Sequence, residues 1–194
     1  MDFVIHRQDR QPLHLEGENL ADAIERAVAE GRALNLAQLE GANLEGAHLE
    51  RANLAWAELM EANLQGANLE RADLRRADLT RAQLRHANLE RALLMDANLR
   101  GANLAGADLR YANLVEADLR DADLTGANLE GADLRSAALE RTDLRGAQAS
   151  GAILDGAILW HANLAGADLE GADLEGALLV RAHLEDAQNA PEAN

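Results

Sequence analysis

Six histidines, two serines and many carboxylates are the side chains of this sequence that could do chemistry. The histidines are His6, His14, His48, His86, His161 and His183. They are scattered along the chain, and no metal-ligand cluster results. They read as solvated polar side chains. Ser136 and Ser150 have no His in a plausible relay, which argues against a hydrolytic triad. Carboxylate pairs such as Asp121 with Asp123 abound, as they would on any acidic repeating surface. There is no Cys, hence no thiolate nucleophile, thiolate metal site or disulfide. There is also no Lys, so no phosphate loop of the G-x-x-x-x-G-K-[ST] kind can be completed. The expectation is a protein with no catalytic residue, no metal and no cofactor.

The elements that would position any site must come from an unusual composition. The chain has 194 residues, a length that fits one domain with a small appendage. Hydrophobic residues make up 48%, but aromatics only 2%: Phe3, Trp56, Tyr111 and Trp160. An ordinary core of mixed large side chains is excluded, and many small and medium aliphatics must be buried in a regular way. All 18 basic residues are Arg; against 34 Asp and Glu they leave a net charge of −16. Direct nucleic-acid binding is then disfavoured, because phosphate contacts dominate that affinity and here would repel. Anionic membrane surfaces are disfavoured for the same reason. No apolar run is long enough for a membrane span, and Met1 to Arg10, with Asp2, Arg7, Asp9 and Arg10, has no signal-peptide pattern. A cytoplasmic protein is expected.

Self-similarity decides the fold. From Ala37 to Ala187 every fifth residue is Ala except Thr142, and two residues after each comes Leu, from Leu39 to Leu184, except Ala149. Of 30 such Leu positions, 29 hold Leu. We call the Leu position i. Position i−1 is usually Asn or Asp, and i+2 is Gly in 13 of the 30 repeats. In an α-helix a period of five would carry Leu around the whole circumference and leave no apolar face. In a straight strand it would throw successive Leu to opposite sides. The pattern works only if the chain turns once per repeat. Ala-x-Leu then reads in-out-in on a short strand, and the next two residues make a corner where positive φ is needed. Ala149, in place of Leu, predicts a gap of about three methyl groups if such a core keeps its width, or, with Thr142 just upstream, a locally narrowed or distorted turn of the chain.

The motif A-(N/D)-L-x-x, as in Ala42-Asn43-Leu44-Glu45-Gly46 and Ala122-Asp123-Leu124-Thr125-Gly126, resembles the pentapeptide-repeat proteins. Thirty copies in frame cover about three quarters of the chain. The resemblance implies an all-β fold, a right-handed quadrilateral β-helix of four repeats per coil, hence about 7.5 coils over residues 37–188 and a rod about 36 Å long. Residues 1–36 predict an N-terminal cap: a hairpin of Phe3-Val4-Ile5 and Leu13-His14-Leu15 around Asp9-Arg10, then a helix over Leu20 to Glu30 with Asn19 as N-cap and Gly31 ending it. Residues 189–194 read as a polar tail with no capping helix, so a second copy of the chain is expected to cover the last coil.

The resemblance also implies a function. Some members mimic B-DNA in shape and charge and bind DNA gyrase or related topoisomerases. Within 37–188 there are 26 acids and 14 Arg, net −12. Duplex DNA would carry about 21 charges over the same ~36 Å. The core is Leu throughout, where those members often use Phe, and no loop interrupts the frame. Charge is uneven: Arg71, Arg75, Arg76, Arg81, Arg85 and Arg91 form a basic belt, and 71–100 sums to +3, whereas 151–194 sums to −7. The expected partner-binding residues are therefore Asp155, Asp168, Glu170, Asp173 and Glu175. Outward apolar residues cluster at the same end: Ile158 in register with Leu178, Trp160 with Val180, after Ala138, with Ile153 on the adjoining face. These predict a homodimer interface. Two readings stand for the acidic surface, mimicry acting on a type II topoisomerase, or a charged face that keeps a scaffolding rod soluble for another protein partner.

Overall fold

The structure is a computed structural model and describes residues 1–8 and 11–188. From Gln38 to Asp168 every i−1 residue bridges the residue twenty positions later in parallel register, as in Asn43 with Asn63 and Asn63 with Gln83. One coil is therefore twenty residues, four repeats, one repeat to a side. Ala and Leu point inward and are buried along the rod, from Ala37 and Leu39 to Ala167 and Leu169. Thr142 takes an Ala position and is buried as well; its hydroxyl donates to the Leu119 carbonyl at 2.9 Å, so the polar atom is satisfied.

The repeat motif accounts for the backbone hydrogen bonds one by one. In the repeat at Leu44, the Leu44 N–H donates to the Asn63 carbonyl at 2.7 Å and Gly46 N–H to Gln65 at 2.9 Å, both on the next coil. The Asn63 N–H returns to the Ala42 carbonyl at 2.9 Å. The Ala47 N–H closes the corner onto the Leu44 carbonyl at 3.1 Å. That leaves the i+1 amide, and the Asn43 side chain accepts it from Glu45 at 3.3 Å. Asn and Asp recur at i−1 because a short side-chain oxygen two residues back is what that amide can reach.

Each corner has positive φ at i+2, near 60° whether the residue is Gly126, Trp56 or Arg141. With the i to i+3 bond this fits a type II turn. Glycine is favoured there but not required: a non-glycine residue in the left-handed region costs about 1 kcal/mol, and the stacked ladder tolerates it at 17 corners.

Ahead of the repeats, β1 (Asp2–Ile5) pairs antiparallel with β2 (Leu13–Glu16). Helix α1 (Leu20–Ala29) starts at Asn19, whose side chain accepts from Asp22 N–H at 3.0 Å. It ends in a Schellman pattern: Gly31 has φ 70°, its N–H donates to Val28, and Arg32 N–H donates to Ala27. Ile5, Leu15, Ala23, Ile24, Ala27 and Leu34 bury into the same apolar cluster as Leu39 and Leu44. Glu25 of α1 accepts from His48 N–H at 2.9 Å. The turn expected at Asp9-Arg10 and the tail 189–194 lie outside the described residues.

The other end differs. Leu174, Leu179 and Leu184 are only partly buried, whereas Leu154, Leu159 and Leu164 one coil earlier are buried. Among the described residues no backbone carbonyl accepts from Gly176, Leu179, Arg181 or Leu184 N–H.

Candidate protein-binding surface

Positions i−1 and i+1 both point outward from the same side of a coil, so their side chains meet. Where the triplet is Asp-Leu-Arg the result is an ion pair: Arg75 to Asp73 at 2.7 Å, Arg110 to Asp108 at 2.6 Å, Arg135 to Asp133 at 2.6 Å and Arg145 to Asp143 at 2.7 Å, with Arg120 and Asp118 likewise paired. The arginine hydrogen bond holds the Asp73, Asp108, Asp133 and Asp143 carboxyls below the usual range. For Asp118, burial pushes upward and the Arg120 bonds outweigh it. Ties between coils add to these: Arg141 with Asp121 at 2.6 Å and Arg110 with Glu90 at 3.0 Å.

Toward the C-terminal coils the triplets become Asp168-Leu169-Glu170 and Asp173-Leu174-Glu175. The same geometry that gives Asp73 an arginine here sets a second carboxylate beside the first. Asp168 and Glu170 occupy one side of the coil, Asp173 and Glu175 the next, and Asp155 precedes Glu175 in the same column of the twenty-residue register. Among the described residues none of these five has a basic partner within ion-pair distance. Asp168 accepts from the Ser150 hydroxyl at 2.7 Å and from Glu170 N–H at 3.0 Å, and the Ser150 bond, then the amide, lower its carboxyl. Asp173 accepts from Glu175 N–H at 3.0 Å. Asp168, Glu170, Asp173 and Glu175 therefore lie on two adjoining sides with no ion-pair partner among the described residues, and Asp155 lies in the column of Arg135, whose guanidinium it helps Asp133 to hold charged.

The side that follows carries the apolar residues. Ala138 bridges Ile158 and Ile158 bridges Leu178, in one outward column. Trp160 and Val180 form the neighbouring column, 44% and 59% exposed, and Leu178 is 44% exposed. Apolar residues at i−1 also give up the side-chain acceptor for the i+1 amide, so this column carries a cost that a polar one avoids.

The basic belt is largely internal to the rod's own pairing: Arg76 lies 3.1 Å from Asp96, Arg81 3.6 Å from Glu61 and Arg91 2.9 Å from Glu90. The sequence reading missed the Asp-Leu-Arg pairing, although the triplet is its plain signature. It also missed the stacking of Arg76 over Trp56, 4.8 Å to the ring centre, and of Arg91 over Tyr111 at 5.4 Å. Among the described residues no group of His, Asp and Glu is arranged to hold a metal ion, and no helix is long and apolar enough to cross a membrane. His48 and His183 sit beside Glu50 and Glu185 at 3.5 and 3.3 Å.

No curated protein matches the chain. Among solved structures it is similar to HetL, a pentapeptide repeat protein involved in heterocyst differentiation regulation from the cyanobacterium Nostoc sp. strain PCC 7120: 33% identity over 89% of this chain and 95% of that one, TM-score 0.36. It is also similar to QnrB1, a plasmid-mediated fluoroquinolone resistance protein: 20% identity over 75% of this chain and 78% of that one, TM-score 0.51, a likeness of fold. The family model described as Pentapeptide repeats (8 copies) matches residues 37–76, 57–96, 77–114, 102–141, 122–161, 142–179 and 161–188. With that match running the length of the repeats, the chain belongs to the pentapeptide-repeat family and winds its right-handed β-helix.

Proposed function

We propose that this chain is a non-enzymatic, cytoplasmic protein-binding rod, whose acidic C-terminal coils imitate the charge of B-DNA toward a type II topoisomerase such as DNA gyrase. The observation that carries the reading is the contrast between triplets. Asp73, Asp108, Asp118, Asp133 and Asp143 are neutralised by an Arg two positions on, whereas Asp168 and Asp173 have Glu170 and Glu175 there, with Asp155 in the column of Glu175. Carboxylates held in stacked columns present charge at fixed spacing, as phosphates do. The hairpin and helix of residues 1–36 act as the cap of a four-sided coil over 37–188. Ile158, Trp160, Leu178 and Val180 join two copies, which brings two acidic ends together.

A gyrase supercoiling assay over a salt series tests the function. Inhibition that weakens as salt rises is expected. It should be lost in the variant Asp155→Asn, Asp168→Asn, Glu170→Gln, Asp173→Asn, Glu175→Gln. No inhibition by the native chain, or equal inhibition by the variant, would overturn the reading. The ion-paired central coils favour a second reading, a scaffolding solenoid for another protein partner.

A further inference from the structure

The apolar side of the C-terminal coils is graded in size, and two unmet charges of opposite sign stand at its ends. Ala138, Ile158 and Leu178 bridge in turn from one coil to the next. Glu140, Trp160 and Val180 form the column beside them. Glu140 has one carboxylate oxygen, Oε2, that is buried and without a hydrogen-bond partner, the only such side-chain atom among the described residues. The nearby arginines are engaged elsewhere: Arg120 Nε donates to Asp118 at 2.7 Å and Arg141 Nε to Asp121 at 2.6 Å. At the other end Arg181 is exposed on the corner next to Val180, and among the described residues it has no carboxylate within ion-pair distance. Glu140 and Arg181 lie two coils apart, about 10 Å along the rod. Trp160 stands between their levels, so one chain does not join them.

We propose that two copies pair antiparallel on this side, about a two-fold axis at the level of Trp160, and that Glu140 takes the partner's Arg181. The inference rests on the pairing of copies proposed above and adds its direction and register. An axis across the rod sets each outward column against itself, reversed. Leu178 then lies on the partner's Ala138, the largest residue of the column on the smallest. Ile158 meets the partner's Ile158, and Trp160 the partner's Trp160. Glu140 comes opposite the partner's Val180, and its carboxylate turns onto the adjoining guanidinium of the partner's Arg181, a charge-assisted bond. Other arrangements leave Glu140 unmet. An axis along the rod sets the two columns against each other and presses Glu140 on the partner's Ala138, an unpaired charge in an apolar contact. End-to-end pairing through the last described coil leaves Glu140 two coils from the partner. Flanked by the Trp160 rings, the new pair is screened by salt less than the exposed acidic columns are.

The test is a charge exchange, read by sedimentation of the full chain. Glu140→Arg sets two arginines against each other across the axis, and Arg181→Glu sets two glutamates. Each variant alone is expected to dimerise at least about tenfold more weakly than the native chain. Mixed in equal amounts, with one of them fluorescently labelled, they should form a mixed dimer of native affinity, because both pairs across the axis are again Glu with Arg. A size exchange gives an independent reading: Ala138→Leu should weaken the dimer by crowding the partner's Leu178, and Leu178→Ala added in the same chain should restore it. All four positions face outward, so circular dichroism should be unchanged. Charge-reversed variants that dimerise as the native chain does, a mixture that stays monomeric, or an Ala138→Leu chain of native affinity would overturn the proposal. A native dimer that Trp160→Glu with Leu178→Glu breaks, but that ignores the charge reversals, keeps the apolar interface and removes this register. A native monomer removes both.

Discussion

The Tyr111 ring lies across the corner at which Gly131 turns the next coil: a Cβ on Gly131 would stand 2.7 Å from ring atoms Cδ1 and Cε1. Gly126 turns its corner at nearly the same φ, 63° against 62°, with nothing within 4 Å of a Cβ. The two glycines therefore separate backbone strain from contact. Gly126→Ala should cost about 1 kcal/mol, the left-handed penalty alone. Gly131→Ala should cost about 1 kcal/mol more, because an aromatic ring must be displaced. The excess should vanish when Tyr111→Ala is added, a double-mutant cycle read by thermal melting. Equal costs at the two corners would show that the ring moves freely.

Inward and outward positions should differ sharply in tolerance. Leu104 is fully buried, and Asn103 points outward and accepts from Ala105 N–H at 3.2 Å. Leu104→Asn should cost about 3 kcal/mol or more, through lost burial and an unsatisfied amide. Asn103→Ser keeps an acceptor oxygen and should cost well under about 1 kcal/mol. Similar melting shifts for the two would contradict the assignment of faces.

At Ala149 the structure keeps the expected gap: a wholly apolar void is lined by Leu129, Leu134, Leu144, Ala149, Leu164 and Leu169. Ala149→Leu should then stabilise by about 1 kcal/mol or more. Denaturant unfolding measures it; a clear loss of stability would mean that the coil is locally narrowed and that Leu overpacks it.

Much of this architecture is legible in the period of five. Leu104 inside, Asn103 outside and a corner at Gly106 follow from counting, because one register holds over the whole repeat. What the count does not give is what a side chain does once outside. Asp73 and Asp168 occupy equivalent outward positions, and only the residue two places on, Arg75 or Glu170, makes one neutral and the other a bare charge. Left-handed corners at Trp56 and Tyr111 run against local preference; tertiary stacking overrides it, with Arg76 and Arg91 covering the rings.

Acid should unfold the rod through its Asp-Leu-Arg pairs. The carboxyls of Asp73, Asp108, Asp133 and Asp143 are held below the ordinary Asp value by arginine. A depressed pKa means that the pairing stabilises the folded chain above about pH 3.9, and the contribution disappears as pH falls through the folded values. The pairs are largely exposed, so each contributes modestly. Thermal melts between about pH 6 and pH 2 should show a decline confined to the acid end of that range. The decline should be shallower in Arg75→Gln, Arg110→Gln, Arg135→Gln, Arg145→Gln. An equally steep loss in that variant would assign acid unfolding to other carboxylates.

The proposed pairing of two copies yields the last prediction. Ala138, Ile158 and Leu178 give up the acceptor that Asn or Asp supplies elsewhere at i−1, and Trp160 and Val180 expose apolar surface beside them. Leu174, Leu179 and Leu184 of the last described coil are only partly buried. Apolar surface beside the last described coil favours covering by a second copy, and a two-fold arrangement uses the same patch on both. That arrangement brings Asp155, Asp173 and Glu175 near their counterparts, a repulsion that salt screens within a Debye length of about 8–10 Å. Dimerisation should therefore hold or strengthen as salt rises, the opposite of an interface built on ion pairs. Sedimentation at tens of micromolar should find a dimer for the native chain and a monomer for Trp160→Glu with Leu178→Glu, with the melting of the central coils little changed. A native monomer, a variant that stays dimeric, or a dimer that dissociates with added salt would each remove this interface from consideration.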